Sequence, residues 1–535
     1  SPLNPKMLFV SSQRLWRSLD GGRTWKVLSG DLTRHAPETQ EKSGGPITGD
    51  MNGPEVYGVI FSVGPSKKDV NVIWTGSDDG LVHVTRNGGL SWTNVTPKDM
   101  PDFGRVSQID ASAFDAGTMY MSVRRPLLND RAPYIFRTTD FGKTWTKIVN
   151  GLGAEDYVHA VREDPARKGL LYAATQHGVY LSYDDGANWQ SLKLNMPDTP
   201  ISDLIVEAND LVISSHGRGF WVLDNVAPLR QATPAVLAAD AHLFAPPVGI
   251  RSSAGVPMSW TFKAAPKRAT LAILDSTGAV LRELTGDTAT AAAGAGAGRR
   301  RGTSSSFPLS AGLSRFTYDM RATGIESFPG MILWGAGTAG PALPPGRYTV
   351  RLTADGKTLT APMTITRSPL LPEVTNADLR AQYAFGKQVR DRTNDAQKAV
   401  IDIRRVKEQL ADRLKRSQDA ALAEKGGTLK TNASAVEENV YQVKNQSGQD
   451  PLNFPIRVNN RLANLLSMSE RGDGPPGTYM PEILSILTKE LGGYTAKLET
   501  VWKIDLAAVN AELKRLNLPA LDPKCAVVAG CTATP

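Results

Sequence analysis

The order of apolar and polar positions divides the chain into three stretches. Over residues 1–230, short runs alternate apolar and polar side chains with period two, the mark of strands buried on one face. Val56–Val63, Val106–Ala113 and Tyr157–Glu163 predict the first strands of three units. Val72–Gly76, Met119–Val123 and Leu170–Thr175 predict their second strands, and Leu81–Arg86, Tyr134–Thr138 and Val179–Tyr183 the third. Residues 1–28 read as the outer strands of a unit that lacks its inner strand, and Ile201–Leu223 as a last unit. A Gly/Pro/Asp-rich loop, His35–Pro54, is long enough to bind a ligand.

After a partly helical linker, Pro228–Ala245, alternation resumes over residues 243–368. It predicts strands at Ser259–Lys263, Ala269–Leu274, Leu313–Asp319, Gly346–Ala354 and Lys357–Ile365. Asp355-Gly356 is a hairpin turn between the last two. A flexible loop is expected over 286–306, where Thr288–Ser306 is low-complexity.

Beyond Pro372 the period becomes helical. Leu379, Tyr383, Gly386, Val389, Thr393, Ala396, Val400, Ile403, Lys407, Leu410 and Leu414 form one stripe, with Thr375 or Asn376 as N-cap. Gly426-Gly427 is expected to stop this helix, and shorter helices are expected near Ala433–Lys444, Ile456–Glu470, Tyr479–Trp502 and Leu506–Leu516. Residues 373–520 thus predict an antiparallel bundle followed by a tail, 521–535.

One short frame recurs through the first stretch: Ser18–Trp25 (SLDGGRTW), Thr85–Trp92 (TRNGGLSW), Thr138–Trp145 (TTDFGKTW) and Ser182–Trp189 (SYDDGANW). The shared pattern is hydroxyl-x-Asp/Asn-x-Gly-x-x-Trp. Asp20, Asn87, Asp140 and Asp184 head tight turns by accepting backbone N–H groups, and the glycine takes positive φ. Trp25, Trp92, Trp145 and Trp189 each open the next strand with a large apolar face for packing between units. Copies spaced by roughly 45–65 residues predict one four-stranded unit each, and radial repetition of such units is a β-propeller.

This frame resembles the Asp-box, or bacterial neuraminidase repeat, of sialidases, xyloglucanases and sortilin-type propellers. The stretches SGDLT (Ser29–Thr33), SDDGLVHVTRNGG (Ser77–Gly89) and SSHGRGFWVLDNVAPLRQ (Ser214–Gln231) resemble secreted bacterial proteins of the sortilin-like or glycosyl-hydrolase-like repeat class. Pro344–Leu352 resembles the penultimate strand of an immunoglobulin-like or fibronectin-like sandwich. The expected fold is therefore multidomain: a partial Asp-box propeller of about four to five blades over 1–230, an Ig-like sandwich over 243–368 and a helical bundle. The resemblance implies an extracellular, periplasmic or cell-surface setting. It implies a partner as well, an N-terminal propeller half of the same precursor, because too few units are present to close a ring.

Composition narrows the function classes. A formal net charge of +8 is spread along the chain, and Arg299–Arg301 is its one basic run, so nucleic-acid binding is not expected. No apolar run reaches the length of a membrane span. Cys525 and Cys531 are the only cysteines; their spacing permits a small disulfide loop in an oxidising compartment, with two separate thiols as the alternative. No metal site or cofactor is expected, since no motif supplies enough ligands.

Candidate chemistry comes from aligning the units. Tyr57 aligns with Tyr157; Val59 with Gln108, His159 and Asp203; and Asp79 with His177 and His216, each before a glycine. With Glu55, Asp78 and Arg218 these groups are expected at one rim. Tyr57, Tyr157, His159, His177, His216 and Arg218 are the ligand-binding candidates, for a protein, peptide or glycan. Glu55, Asp78, Asp79 and Asp203 are the carboxylates from which a glycoside hydrolase of the Asp-box type would draw a catalytic pair. Binding or assembly is the expected role, with that hydrolase, or a structural part of an extracellular assembly, as alternatives.

Overall fold

The computed structural model describes residues 1–40, 56–251, 254–287 and 306–528. They fall into two compact units, Ser1–Ala232 and Thr233–Pro535. The first is built of β-sheets; the second combines β-sheets with a C-terminal helical region.

Among the described residues of the first unit, five antiparallel sheets follow one another along the chain. The first holds β1 (Leu8–Ser11), β2 (Leu15–Ser18) and β3 (Lys26–Val27). The second holds β4 (Ile60–Pro65), β5 (Ile73–Ser77), β6 (Val82–Thr85) and β7 (Thr93–Asn94). The third holds β8 (Arg105–Ala111), β9 (Met119–Arg125), β10 (Asp130–Thr138) and β11 (Thr146–Lys147). The fourth holds β12 (Val158–Glu163), β13 (Leu171–Thr175), β14 (Gly178–Ser182) and β15 (Gln190–Ser191). The fifth has three strands, β16 (Ile201–Glu207), β17 (Asp210–Ser215) and β18 (Phe220–Leu223). These strands lie within a few residues of those the alternation predicts.

Alternation along each strand serves two neighbours at once. Leu15 and Leu28 of the first sheet pack on Ile60 and Ile73 of the second. Trp74, Val82 and Val84 pack on Met119, Met121 and Phe136. From the opposite face of the third sheet, Tyr120, Ile135 and Ile148 meet Leu171, Ala173 and Trp189. Tyr172 and Leu181 then meet Ile201, Leu204 and Ile213. Period two thus places a core on either side of every inner sheet.

The repeated turn holds each of the last two strands of a sheet together. Ser18, Thr85, Thr138 and Ser182 accept the amide N–H of Gly22, Gly89, Gly142 and Gly186 at 2.8–2.9 Å. Asp20, Asn87, Asp140 and Asp184 accept the amides of Thr24, Ser91, Thr144 and Asn188 at 2.8–3.0 Å. These bonds hold the Asp20 carboxyl down to about 2, the Thr24 amide being the strongest cause.

The first unit ends on a short helix, α1 (Ala227–Gln231), and the second begins with another, α2 (Pro234–Ala238). Two sheets then share one apolar core. One orders β19 (Ala241–Leu243), β21 (Val256–Phe262) and β25 (Gly312–Tyr318). The other orders β20 (Gly249–Ile250), β27 (Lys357–Thr366), β26 (Gly346–Ala354), β22 (Ala269–Leu274), β23 (Val280–Asp287) and β24 (Ser306–Pro308). The Asp355-Gly356 hairpin forms as expected, with both residues at positive φ and Ala354 opposite Lys357. Strand β23 lies outside the expected set. Its burial is partial and its sequence carries polar residues at four positions, so alternation marks it weakly. Most of the expected loop at 286–306 lies outside the described residues.

The helices are α3 (Asn376–Arg416), α4 (Ala420–Val440), α5 (Val458–Ser469), α6 (Met480–Val501) and α7 (Ala507–Arg515), packed round a common core. Thr375 caps α3 in a reciprocal box with Asp378, which settles the N-cap between the two expected residues. Gly426-Gly427 does not end a helix, contrary to expectation. α3 stops ten residues earlier, and Asp419 caps α4 by accepting the Leu422 amide at 2.9 Å. α4 then runs through both glycines, because Gly426 lies against Leu410 of α3 with no room to spare. That glycine permits close helix approach rather than termination. Buried Arg251, before β21, pairs with Asp473 at 2.8 Å and also donates to Gln382 of α3, tying the sheets to the helices.

Candidate functional site

The inner strands of the complete sheets, and of the fifth, share an irregularity. Register slips by one residue between Ile60 and Ser62, Val106 and Gln108, Val158 and Ala160, and Ile201 and Asp203. These bulges put Phe61, Ser107, His159 and Ser202 at equivalent positions. The expected alignment is therefore corrected: His159 corresponds to neither Gln108 nor Asp203, and Tyr157 corresponds to Arg105, not Tyr57. Each of these four sheets carries the same bulge, so the offset comes from where each first strand begins, which alternation alone does not mark.

Around His159 the third and fourth sheets assemble a cationic, aromatic cluster. Arg105 and Arg124 face each other across β8 and β9. The Arg124 guanidinium donates to His159 Nδ1 at 2.9 Å, which leaves Nε2 to carry the ring proton toward Gln176 Oε1 at 3.4 Å. His159 is accordingly neutral: burial first, then Arg124, pushes its pKa down to about 4. Burial and the neighbouring Arg105 likewise push the Arg124 guanidinium below its usual value. Arg105 lies 4.9 Å over the Phe61 ring, and Tyr157 packs against His159 with ring centroids 5.1 Å apart. Tyr57 feels Arg105 electrostatically, although burial and then Asp78 and Asp79 push its hydroxyl up to about 12. Among the described residues neither Arg105 nor Arg124 forms an ion pair. Arg105 and Arg124 are thus half-buried beside a neutral imidazole, and the nearby Asp78 carboxylate offsets part of the Arg105 charge without forming an ion pair.

The remaining candidates divide by environment. Asp78 is buried and accepts the amides of Gly58 and Val59 at 3.1 and 2.8 Å. Asp79 is buried beside it and accepts the Ser77 hydroxyl and the Arg34 amide. Both carboxylates are occupied in holding turns. Asp203 is exposed on β16, 3.3 Å from Arg162. His177 is exposed and pairs with Asp198 at 3.0 Å. His216 and Arg218 sit on the exposed turn between β17 and β18; His216 adds a small electrostatic effect on His159. Glu55 and Cys531 lie outside the described residues, and Cys525 is buried.

Arg105, Arg124 and Gln176 stand outside the expected set. The sequence does carry a signal for the arginines. Arg105 opens the run before Val106, and Arg124 closes the run after Val123. Antiparallel pairing of those runs sets them opposite one another.

No protein-family model matches the chain, and no curated protein matches it. Among solved structures it is similar to an ancestral GH74 enzyme, at 14% identity and a TM-score of 0.29, over 53% of this chain and 37% of the enzyme. It is similar to YCF48 from Cyanidioschyzon merolae at 18% identity and a TM-score of 0.25, over 43% of this chain and 72% of that protein. A third similarity is to PorZ, a surface component of the type-IX secretion system of Porphyromonas gingivalis, at 11% identity and a TM-score of 0.23, over 68% of this chain and 58% of PorZ. The chain spans little more than a third of the GH74 enzyme's length. No helix among the described residues is long and apolar enough to cross a membrane.

Proposed function

We propose that the first unit is part of an Asp-box β-propeller in a secreted or cell-surface protein, and that its role is to bind an acidic segment of another protein at the rim formed by Arg105, Arg124, Tyr57, Tyr157 and His159. The observation that supports this reading is the half-buried Arg124 guanidinium, which has no ion-pair partner among the described residues, beside Arg105, whose charge Asp78 offsets only at longer range. A guanidinium held this way is completed by a carboxylate, which it can take bidentately. A glycan ligand would call for free aromatic faces on which sugar rings could stack. Here Arg105 lies over Phe61 and His159 packs tilted against Tyr157, which leaves Tyr57 as the one rim ring with no such neighbour among the described residues. The hydrolase alternative needs two carboxylates free to act on one bond. Asp78 and Asp79 are engaged by backbone amides instead. In the second unit we read the two sheets as an immunoglobulin-like sandwich, supported by Tyr348, whose hydroxyl reaches back to the Pro344 carbonyl at 2.6 Å.

The test is fluorescence polarisation of a labelled hexaglutamate peptide with the full chain, against a hexaglutamine control. The acidic peptide should bind, the control should not, and Arg124→Met should weaken binding about tenfold or more, the effect of losing a charge-assisted contact. Equal binding of both peptides, or no effect of Arg124→Met and Arg105→Met, would remove the reading.

A further inference from the structure

The sheets of the first unit are joined by one device used three times. Trp92 Nε1 donates to the Leu28 carbonyl at 3.1 Å, Trp145 to that of Val95 at 2.7 Å, and Trp189 to that of Ile148 at 2.9 Å. In each case the acceptor is the aliphatic residue that follows the outer strand of the preceding sheet. The side chain of that same residue fills the space over the glycine of the repeated frame. A Cβ on Gly89 would meet Leu28 at 2.3 Å, on Gly142 Val95 at 2.6 Å, and on Gly186 Ile148 at 2.4 Å. Glycine and tryptophan together therefore grip one branched aliphatic residue, by shape and by its carbonyl.

The first sheet carries the same grip with nothing in it. Trp25 folds back and donates to its own Gly22 carbonyl at 3.1 Å. A Cβ on Gly22 would meet only Leu8 and Trp25, at 3.5 and 3.8 Å. The face around it is open. Leu8 corresponds in register to Ile73, Met119 and Leu171, each opposite the hydroxyl residue that starts the turn. Those three are fully buried against the preceding sheet, whereas Leu8 is 38% exposed. Val10 and Val27, on the same face of the sheet, are 54% and 39% exposed.

We propose that this face docks a further sheet of the same repeat, carried by polypeptide outside these 535 residues, which inserts a branched aliphatic residue between Gly22 and Trp25. The argument is continuity: the surface is the one that receives a preceding sheet at three other places in the same unit. A second copy of this chain does not fit the role. Among the described residues, those of the required kind are Leu28, Val95, Ile148 and Leu192. The first three are gripped, and Leu192 is buried beneath the fifth sheet, which has no fourth strand among the described residues to offer another. The proposal rests on the reading of the first unit as part of a propeller and not on the carboxylate-binding rim, which lies on other sheets.

The experiment places a photoreactive benzoylphenylalanine at Val10 in the full chain expressed in its native cell, followed by mass spectrometry of crosslinked peptides. The expected product is a peptide from a segment that carries the hydroxyl-x-Asp/Asn-x-Gly-x-x-Trp frame. Adding Trp25→Ala should cut its yield at least fivefold while moving the melting temperature of the isolated chain by less than about 2 °C, since Trp25 is 41% exposed there and its indole N–H bonds within its own turn. The control Trp145→Ala should lower that temperature by about 5 °C or more. Crosslinking to another copy of this chain, to a segment without the frame, or to nothing would overturn the proposal, as would full crosslinking by the Trp25→Ala protein.

Discussion

At the scale of single residues, the repeated turn shows why Asp and Asn alternate at one position. Asp140 accepts the Thr144 amide through Oδ1 and the Thr144 hydroxyl through Oδ2. Asn87 makes the same pair of contacts with the second one reversed: its Nδ2 donates to the Ser91 hydroxyl at 2.9 Å. The turn thus needs one acceptor and one further group matched to the side chain four residues on, a hydroxyl in three copies and the Asn188 amide in the fourth. Asp140→Ala should lower stability by about 1–2 kcal/mol, as the loss of a capping side chain does, and leave binding of acidic peptide unchanged. Asp140→Asn should cost much less, because Asn87 already performs the task. The two variants also separate in acid. Thr144 holds the Asp140 carboxyl below its usual value, so its stabilisation is present above about pH 4, the unfolded carboxyl's range, and is lost as pH falls through the lower folded value. Urea titrations at pH 7 and pH 3 should show the Asn variant losing less on acidification than the native chain. An equal loss would mean that this carboxylate is not the titrating group. The residue that precedes each Trp completes the turn, yet it is Thr, Ser, Thr and Asn in the four copies. Its role was hidden because the frame left that position unspecified.

At the scale of elements, what the sequence made legible is what depends on local chemistry. Strand periodicity, the four turns, the Asp355-Gly356 hairpin and the start of α3 all follow from neighbours within a few residues. Features set by distant partners were not legible. The bulge that aims His159 toward Arg124 is a property of a strand pair, and the pairing of Arg105 with Arg124 depends on a register that no local pattern fixes. Gly426-Gly427 is the clearest instance. Locally the pair reads as a helix stop, but Gly426 is buried against Leu410, while a Cβ on Gly427 would meet nothing within 4 Å beyond its own helix backbone. The two glycines should therefore respond in opposite ways. Gly427→Ala should stabilise α4 by about 0.5–1 kcal/mol through helix propensity and reduced unfolded-state freedom. Gly426→Leu should cost about 1–3 kcal/mol, because the added atoms have nowhere to go but into α3. Thermal unfolding followed by far-ultraviolet circular dichroism would read both, and a stabilised Gly426→Leu protein would refute the close approach of the helices.

At the scale of the whole molecule, each unit carries its own apolar cores, so each has what cooperative folding requires. The second unit adds a polar lock between its sheets and its helices. Arg251 is 3% exposed; besides Asp473 it donates to the Leu343 carbonyl and to Gln382 Oε1, each at 2.8 Å. A neighbouring lock joins Arg321 to Glu470 at 2.9 Å, and Glu470 also accepts the Ala342 amide at 3.1 Å. Burial raises the Glu470 carboxyl even though Arg321 opposes the rise, so partners inside the unit offset only part of the desolvation cost. Removing one member of such a pair leaves the other charge buried without its counterpart. Arg251→Ala should then cost about 3–5 kcal/mol, several times what an exposed ion pair contributes. Because the lock lies wholly within the second unit, calorimetry should show two transitions in the native chain, of which only one moves in Arg251→Ala. The doubly altered Arg251→Met, Asp473→Leu protein should recover much of the loss, since replacing both charges by apolar groups removes the uncompensated one. A single transition that shifts as a whole would show that the two units unfold together, and a double variant no better than Arg251→Ala would show that Arg251 acts through Leu343 and Gln382 more than through Asp473.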